Sequence, residues 1–210
     1  LQAAVDPTSR AATAAHHSAT HLLHAVLRRR LGAHVQQKGS LVNAERLRFD
    51  FSHPEPLGSA ELQAIEREIN AAIRANVQAE TRVLPLAEAQ ALGAMALFGE
   101  KYGEEVRVVL MGEHSLEFCG GTHVTALGEI GFFRILSESA VAAGVRRIEA
   151  VAGEAALRSV QQDEERLRGA AALLKAAPAE LDQRLAQTLE RLRQLEKELE
   201  RSTRELAASA

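Results

Sequence analysis

Two short motifs, His17-Ser18-Ala19-Thr20-His21 and Cys119-Gly120-Gly121-Thr122-His123, constrain this chain more than any other feature. Each places two metal-capable side chains four residues apart. On a helix, residues i and i+4 stand one above the other, so His17 and His21 can address one ion. Cys119 and His123 need no helix. Gly120-Gly121 suits a tight turn that draws the two side chains together and presents backbone N–H groups to a ligand. Each motif alone has an ordinary explanation, because a His pair at this spacing is often incidental and a single cysteine is usually a small hydrophobe. Together, three imidazoles and one thiolate make a tetrahedral zinc set.

The segments around the motifs read as an α+β domain. Asp6-Pro7 is a cap followed by Pro at the first helical position, and the helix runs to Leu31-Gly32. His34 to Val42 and Arg46 to Phe51 read as strands. In the second, Leu47, Phe49 and Phe51 alternate with Arg46, Arg48 and Asp50. Ser59 caps a helix whose apolar stripe is Leu62, Ile65, Ile69, Ile73 and Val77. Arg82 to Leu86 is a short strand and Ala87 to Ala96 a small helix. Glu105 to Met111, the run into Phe118, Phe132 to Ser137 and Gly144 to Val151 complete a mostly antiparallel sheet.

The character changes after Gly153, which divides the chain into a domain of residues 1–153 and an arm of residues 154–210. Glu154 to Ala176 is charged and helical, and Pro178 opens a second helix running to the C-terminus. Leu185, Leu192, Leu199 and Leu206 recur every seven residues there, with Leu195 between them, while Thr188 and Ser202 interrupt the other seam positions. Such a face is expected to pack on another helix of the same protein or on a second copy.

Composition narrows the function. The 210 residues, 46 % of them apolar, suffice for one well-cored domain and an appendage. A net charge of -3 excludes a uniformly basic nucleic-acid binder, although a local basic face remains compatible. With no Trp and one Tyr, base stacking on an aromatic platform is not the expected mode of RNA contact. The single cysteine allows no intrachain disulfide and fits a reducing, cytoplasmic setting. No apolar run reaches the ~20 residues of a membrane span. The first residues carry no signal-peptide pattern and no initiating Met, so the chain reads as a piece of a longer polypeptide.

The residues around His17 and Cys119 resemble a known family. His17-Ser18-Ala19-Thr20-His21-Leu22-Leu23-His24 is similar to the HxxxH element of the editing domain of alanyl-tRNA synthetases. Phe118-Cys119-Gly120-Gly121-Thr122-His123-Val124 resembles the matching CxxxH element. Gln37 to Val42, Leu47 to His53 and Gly144 to Val151 resemble further segments in the same order. The likeness covers roughly residues 8–155, with a helical tail in the expected place. Threonyl-tRNA synthetases and free-standing alanyl-tRNA editing proteins share the zinc motifs. The Cys-Gly-Gly-Thr-His form and the leucine heptads favour the alanyl enzyme.

The resemblance implies a zinc-containing editing domain of the threonyl/alanyl second-additional-domain type, followed by a coiled-coil-like arm. It implies hydrolysis of the ester in tRNA(Ala) wrongly charged with serine or glycine. His17, His21, Cys119 and His123 would be the zinc ligands, and zinc could activate water or anchor the substrate's amino group. Gln37 matches a pocket position, and Thr20 is placed to meet a seryl hydroxyl. Gly120, Gly121 and Arg146 would contact substrate, and Arg28 to Arg30 or Arg146-Arg147 could meet phosphates. Thr20 could equally bond its own helix backbone. ATP and magnesium would serve only an aminoacylation core, which these residues do not resemble. A structural-zinc RNA-binding module and a coiled-coil interaction protein are the competing readings.

Overall fold

The computed structural model describes residues 3–95 and 102–208. Helix α1 (Pro7–Leu31) begins where Asp6 accepts the Ser9 N–H at 2.8 Å and ends at Gly32, whose φ of 116° only glycine adopts readily. Strands β1 (Gln37–Val42) and β2 (Leu47–Ser52) follow, then α2 (Ser59–Ala75), β3 (Ala79–Pro85) and the short α3 (Leu86–Ala91). The hairpin β4 (Glu105–Met111) and β5 (Ser115–Phe118) precedes a 3-10 turn at Leu127–Ile130. A second hairpin, β6 (Phe133–Ala142) and β7 (Val145–Ala152), leads into α4 (Gly153–Leu173) and α5 (Leu181–Ala208).

The expected single sheet is two antiparallel sheets, ordered β1-β2-β7-β6 and β3-β4-β5. Helix α1 packs on both, touching β1, β2, β7 and β5 as well as α2. Its Ala19, Leu22, Leu23, Val26 and Leu27 join Leu47, Phe49 and Phe51 of β2 and Ile65, Ile69 and Ile73 of α2 in one core. A helix shared between two sheets is what lets a residue pair near its middle meet a loop that follows β5.

Several boundaries differ from the expectation for physical reasons. Helix α2 has Gly58, not Ser59, at its N-cap, and no side chain caps it. Val77 lies beyond the helix, which Asn76 ends in a left-handed conformation at φ 51°. The small helix stops at Ala91, because Gly93 turns the chain at φ 79°; its expected end, Ala96, lies outside the described residues. Leu86 starts α3 rather than ending β3. In β2, Asp50 faces no solvent: it is buried and forms a two-pronged bond to Arg147, directly opposite on β7, at 2.7 and 2.9 Å.

Residues Leu1–Arg158 form one compact unit and Ser159–Ala210 a second. The second holds most of α4 and all of α5. Pro178 opens a 3-10 turn rather than the helix, which begins at Leu181. Among the described residues no α5 side chain is buried, and Leu185, Leu192 and Leu199 are 45 %, 51 % and 69 % exposed. No helix among the described residues is long and apolar enough to cross a membrane.

Candidate metal centre

The ligand atoms of His17, His21, Cys119 and His123 all lie within 4.8 Å of one another. Helix periodicity puts the first pair on the face of α1 that meets β5, and the chain leaving β5 supplies the second. Cys119 Sγ is 3.4 Å from His17 Nε2 and 3.2 Å from His123 Nε2. His21 is buried, and the other three are half-buried, so the cluster sits at an edge of the core that solvent reaches.

Each imidazole is held from behind by its other nitrogen. His17 Nδ1 donates to the Thr122 carbonyl at 3.2 Å. His21 Nδ1 donates to the Glu117 carboxylate at 2.6 Å. His123 Nδ1 lies 3.1 Å from the Ser18 hydroxyl, which also accepts the Val124 N–H at 3.2 Å. A carbonyl can only accept, so His17 Nδ1 is the donor to Thr122, and Nε2 is the atom turned toward the thiol. This is the ring orientation that a metal-ligating histidine needs.

The thiol is prepared as well. Burial pushes Cys119 up, but hydrogen bonds from His123, His17 and His21 outweigh it and bring its pKa to about 3. The thiolate is the form that binds metal. Burial also opposes charge on His21 and Glu117; hydrogen bonds to Cys119 and then Glu117 override it and raise the histidine, and those from His21 and His24 lower the carboxylate. Three imidazoles around a thiolate, each with its Nδ1 occupied, fit a divalent zinc-like ion by donor type and number.

The glycines of the turn have different reasons to be there. A Cβ on Gly121 would stand 2.1 Å from His17 Cε1, whereas one on Gly120 would meet nothing within 4 Å. Arg107 on β4 braces this turn, its Nη1 donating at 2.7 Å to the carbonyls of both Cys119 and Gly121.

The remaining expected site residues are placed as follows. Thr20 is buried and donates its hydroxyl to the His16 carbonyl at 2.8 Å. Gln37, the first residue of β1, donates its amide to Ser40 Oγ at 3.2 Å. Arg146 is engaged by Glu138 through Nε and Nη2, at 2.5 and 2.7 Å. Arg29 and Arg30 both pair with Glu68 at 2.6 Å, and Arg28 bonds the Val35 carbonyl at 2.7 Å. His16 bridges the Asn43 carbonyl and the Ala152 N–H, and His53 lies 2.9 Å from His34.

Glu117, Ser18 and Arg107 are the supporting residues that pattern reading missed. Only Glu117 left a trace in the sequence: an acid between Leu116 and Phe118, two residues before Cys119.

The family described as threonyl and alanyl tRNA synthetase second additional domain matches residues 106–149, from β4 through most of β7. The alanine–tRNA ligase of Acidithiobacillus ferridurans is 75 % identical over 208 residues, 99 % of this chain. The chain belongs to the alanine–tRNA ligase family. Its relatives in Methylibium petroleiphilum and Thiobacillus denitrificans, also alanine–tRNA ligases, are 56 % and 55 % identical over 100 % and 99 % of it. In all three matches the chain spans 24 % of the relative's length. The residues that match the second additional domain, 106–149, lie within the first of the two compact units.

Proposed function

We propose that this chain is the editing region of an alanine–tRNA ligase, hydrolysing the ester of tRNA(Ala) mischarged with serine or glycine. The observation that carries the reading is the convergence of four metal-capable side chains from two distant motifs, with three of the four half-exposed. His17, His21, Cys119 and His123 would hold zinc, which when bound can polarise a carbonyl, activate water or anchor an amino group. The longer protein would attach alanine to tRNA using ATP and magnesium, in the cytoplasm.

The protein side chains would do the rest. The Thr20 hydroxyl already donates its hydrogen bond to the His16 carbonyl, so toward a substrate its oxygen can only accept. A seryl hydroxyl is a donor that alanine lacks, and a site built around that bond would spare Ala-tRNA. The Gln37 amide oxygen could orient water; an amide is too weak a base to take its proton. Gly120 would offer its backbone N–H to the substrate, and Gly121, whose N–H is directed at Cys119 Sγ at 3.4 Å, would let the substrate approach the turn closely. Arg146 would meet a phosphate through the N–H groups that Glu138 leaves free. The exposed leucines of α5 would pair with another helix, of the longer protein or of a second copy.

A second reading is supported by the count of ligands. Four protein ligands can close a tetrahedral shell, as in structural zinc sites. One experiment separates the two: deacylation of Ser-tRNA(Ala) and Ala-tRNA(Ala) at equal protein concentration, with and without chelator. The editing reading expects Ser-tRNA hydrolysis that exceeds Ala-tRNA hydrolysis and disappears with zinc. Equal rates, or a rate indifferent to zinc, would refute it.

A further inference from the structure

Glu117 is 4 % exposed and lies on β5, two residues before Cys119. Its two oxygens are used unequally. Oε1 takes the Nδ1–H of His24 at 3.1 Å and the Ser115 hydroxyl at 3.3 Å. Among the described residues Oε2 is met by His21 Nδ1 alone, at 2.6 Å, shorter than the Nδ1 contacts of His17 and His123. We infer that Glu117 is a positioning residue for the metal centre: His24 and Ser115 anchor one oxygen so that the other fixes the ring and tautomer of His21. The inference rests on the metal-binding reading of the cluster.

The geometry requires the arrangement to be built rather than incidental. A carboxylate buried to this degree is costly unless it is hydrogen-bonded, and three donors meet it here. With Nδ1–H directed at Glu117, His21 has only Nε2 to offer Cys119 and any ion between them. A carboxylate behind a histidine also makes its free nitrogen a stronger donor to metal. Because Glu117 and Cys119 are alternate residues leaving one strand, a shift of β5 would move ligand and brace together. Of the three histidines in the cluster, His21 alone is backed by a full charge; Thr122 and Ser18 supply neutral groups to the other two.

The test is zinc competition against a chromophoric chelator, on the full chain and on Glu117→Gln, with folding of both followed by circular dichroism. Glu117→Gln should weaken zinc binding by roughly 10- to 100-fold, the usual effect of losing such a partner. An affinity within twofold of the wild type, in a folded variant, would overturn the inference. Should Glu117→Gln fail to fold, nitrogen NMR of the zinc-loaded wild-type chain decides. The inference requires a proton on His21 Nδ1 and zinc on Nε2, and the reverse assignment overturns it. A wild-type chain that takes up no zinc refutes the metal reading itself, and is distinguishable from both.

Discussion

At Gly121 the turn and helix α1 approach so closely that a methyl group has no room. The added Cβ would fall 2.1 Å from one His17 ring carbon and 2.6 Å from its Nδ1. His17 cannot swing away without abandoning both the Thr122 carbonyl and the thiol. Gly121→Ala should therefore lower zinc affinity by roughly tenfold or more, since misplacing a ligand by about an ångström disables a site. Gly120→Ala, facing open space, should retain stoichiometric zinc. Elemental analysis of the two purified variants checks the pair, and equal zinc in both would contradict the account of the turn.

Among the elements, the β2–β7 pairing carries a pH-dependent contribution. The Arg147 hydrogen bond holds the Asp50 carboxyl below its ordinary value, with the charges of Arg147 and Arg48 adding to it against the cost of burial. A depressed carboxylate stabilises the fold above its unfolded pKa of ~3.9, and that contribution is lost as pH falls through the lower folded value. Asp50→Asn should cost about 1.5–3 kcal/mol at neutral pH, the range for a hydrogen bond to a charged group. Its deficit relative to wild type should shrink as the pH drops below ~3.9, which urea melts across pH will show. Helix α5 poses a different question, because its leucines are exposed within its own unit. Replacing Leu192 and Leu199 with Lys should reduce helix pairing, read as lower association by sedimentation or lower helicity. If both quantities survive, that face is not a packing surface.

For the molecule as a whole, a metal at the candidate centre would tie the first helix to the end of β5 across most of the folded unit. Such an ion binds the native state and not the unfolded chain, so it adds stability in proportion to occupancy. At free zinc 100-fold above its dissociation constant the gain is about 2.7 kcal/mol. Chelation should lower the melting temperature of the wild type by several degrees, and of Cys119→Ala by much less. A wild type that melts identically with and without chelator would mean that the cluster holds no metal of consequence.

The two motifs that converge were legible in the amino-acid sequence because their signal is local. Residue type and a four-residue spacing suffice to propose a metal pair, and the alternation of Leu47, Phe49 and Phe51 suffices to propose a strand with a core face. The division into two sheets was not legible, because a period-two pattern looks the same whichever strand it pairs with. Nor were Glu117 and Asp50, which a hydropathy pattern assigns to solvent. Each is buried only because a partner distant in the chain arrives to neutralise it: His21 and His24 from α1 for one, Arg147 from β7 for the other. Tertiary packing alone decided that Arg107 would brace the Cys119 turn, whereas the bond of Thr20 to its own helix is local and was open to a reading of the sequence. Local spacing names the atoms that can bind, while the groups that aim them are chosen by contacts between segments that no window along the chain contains together.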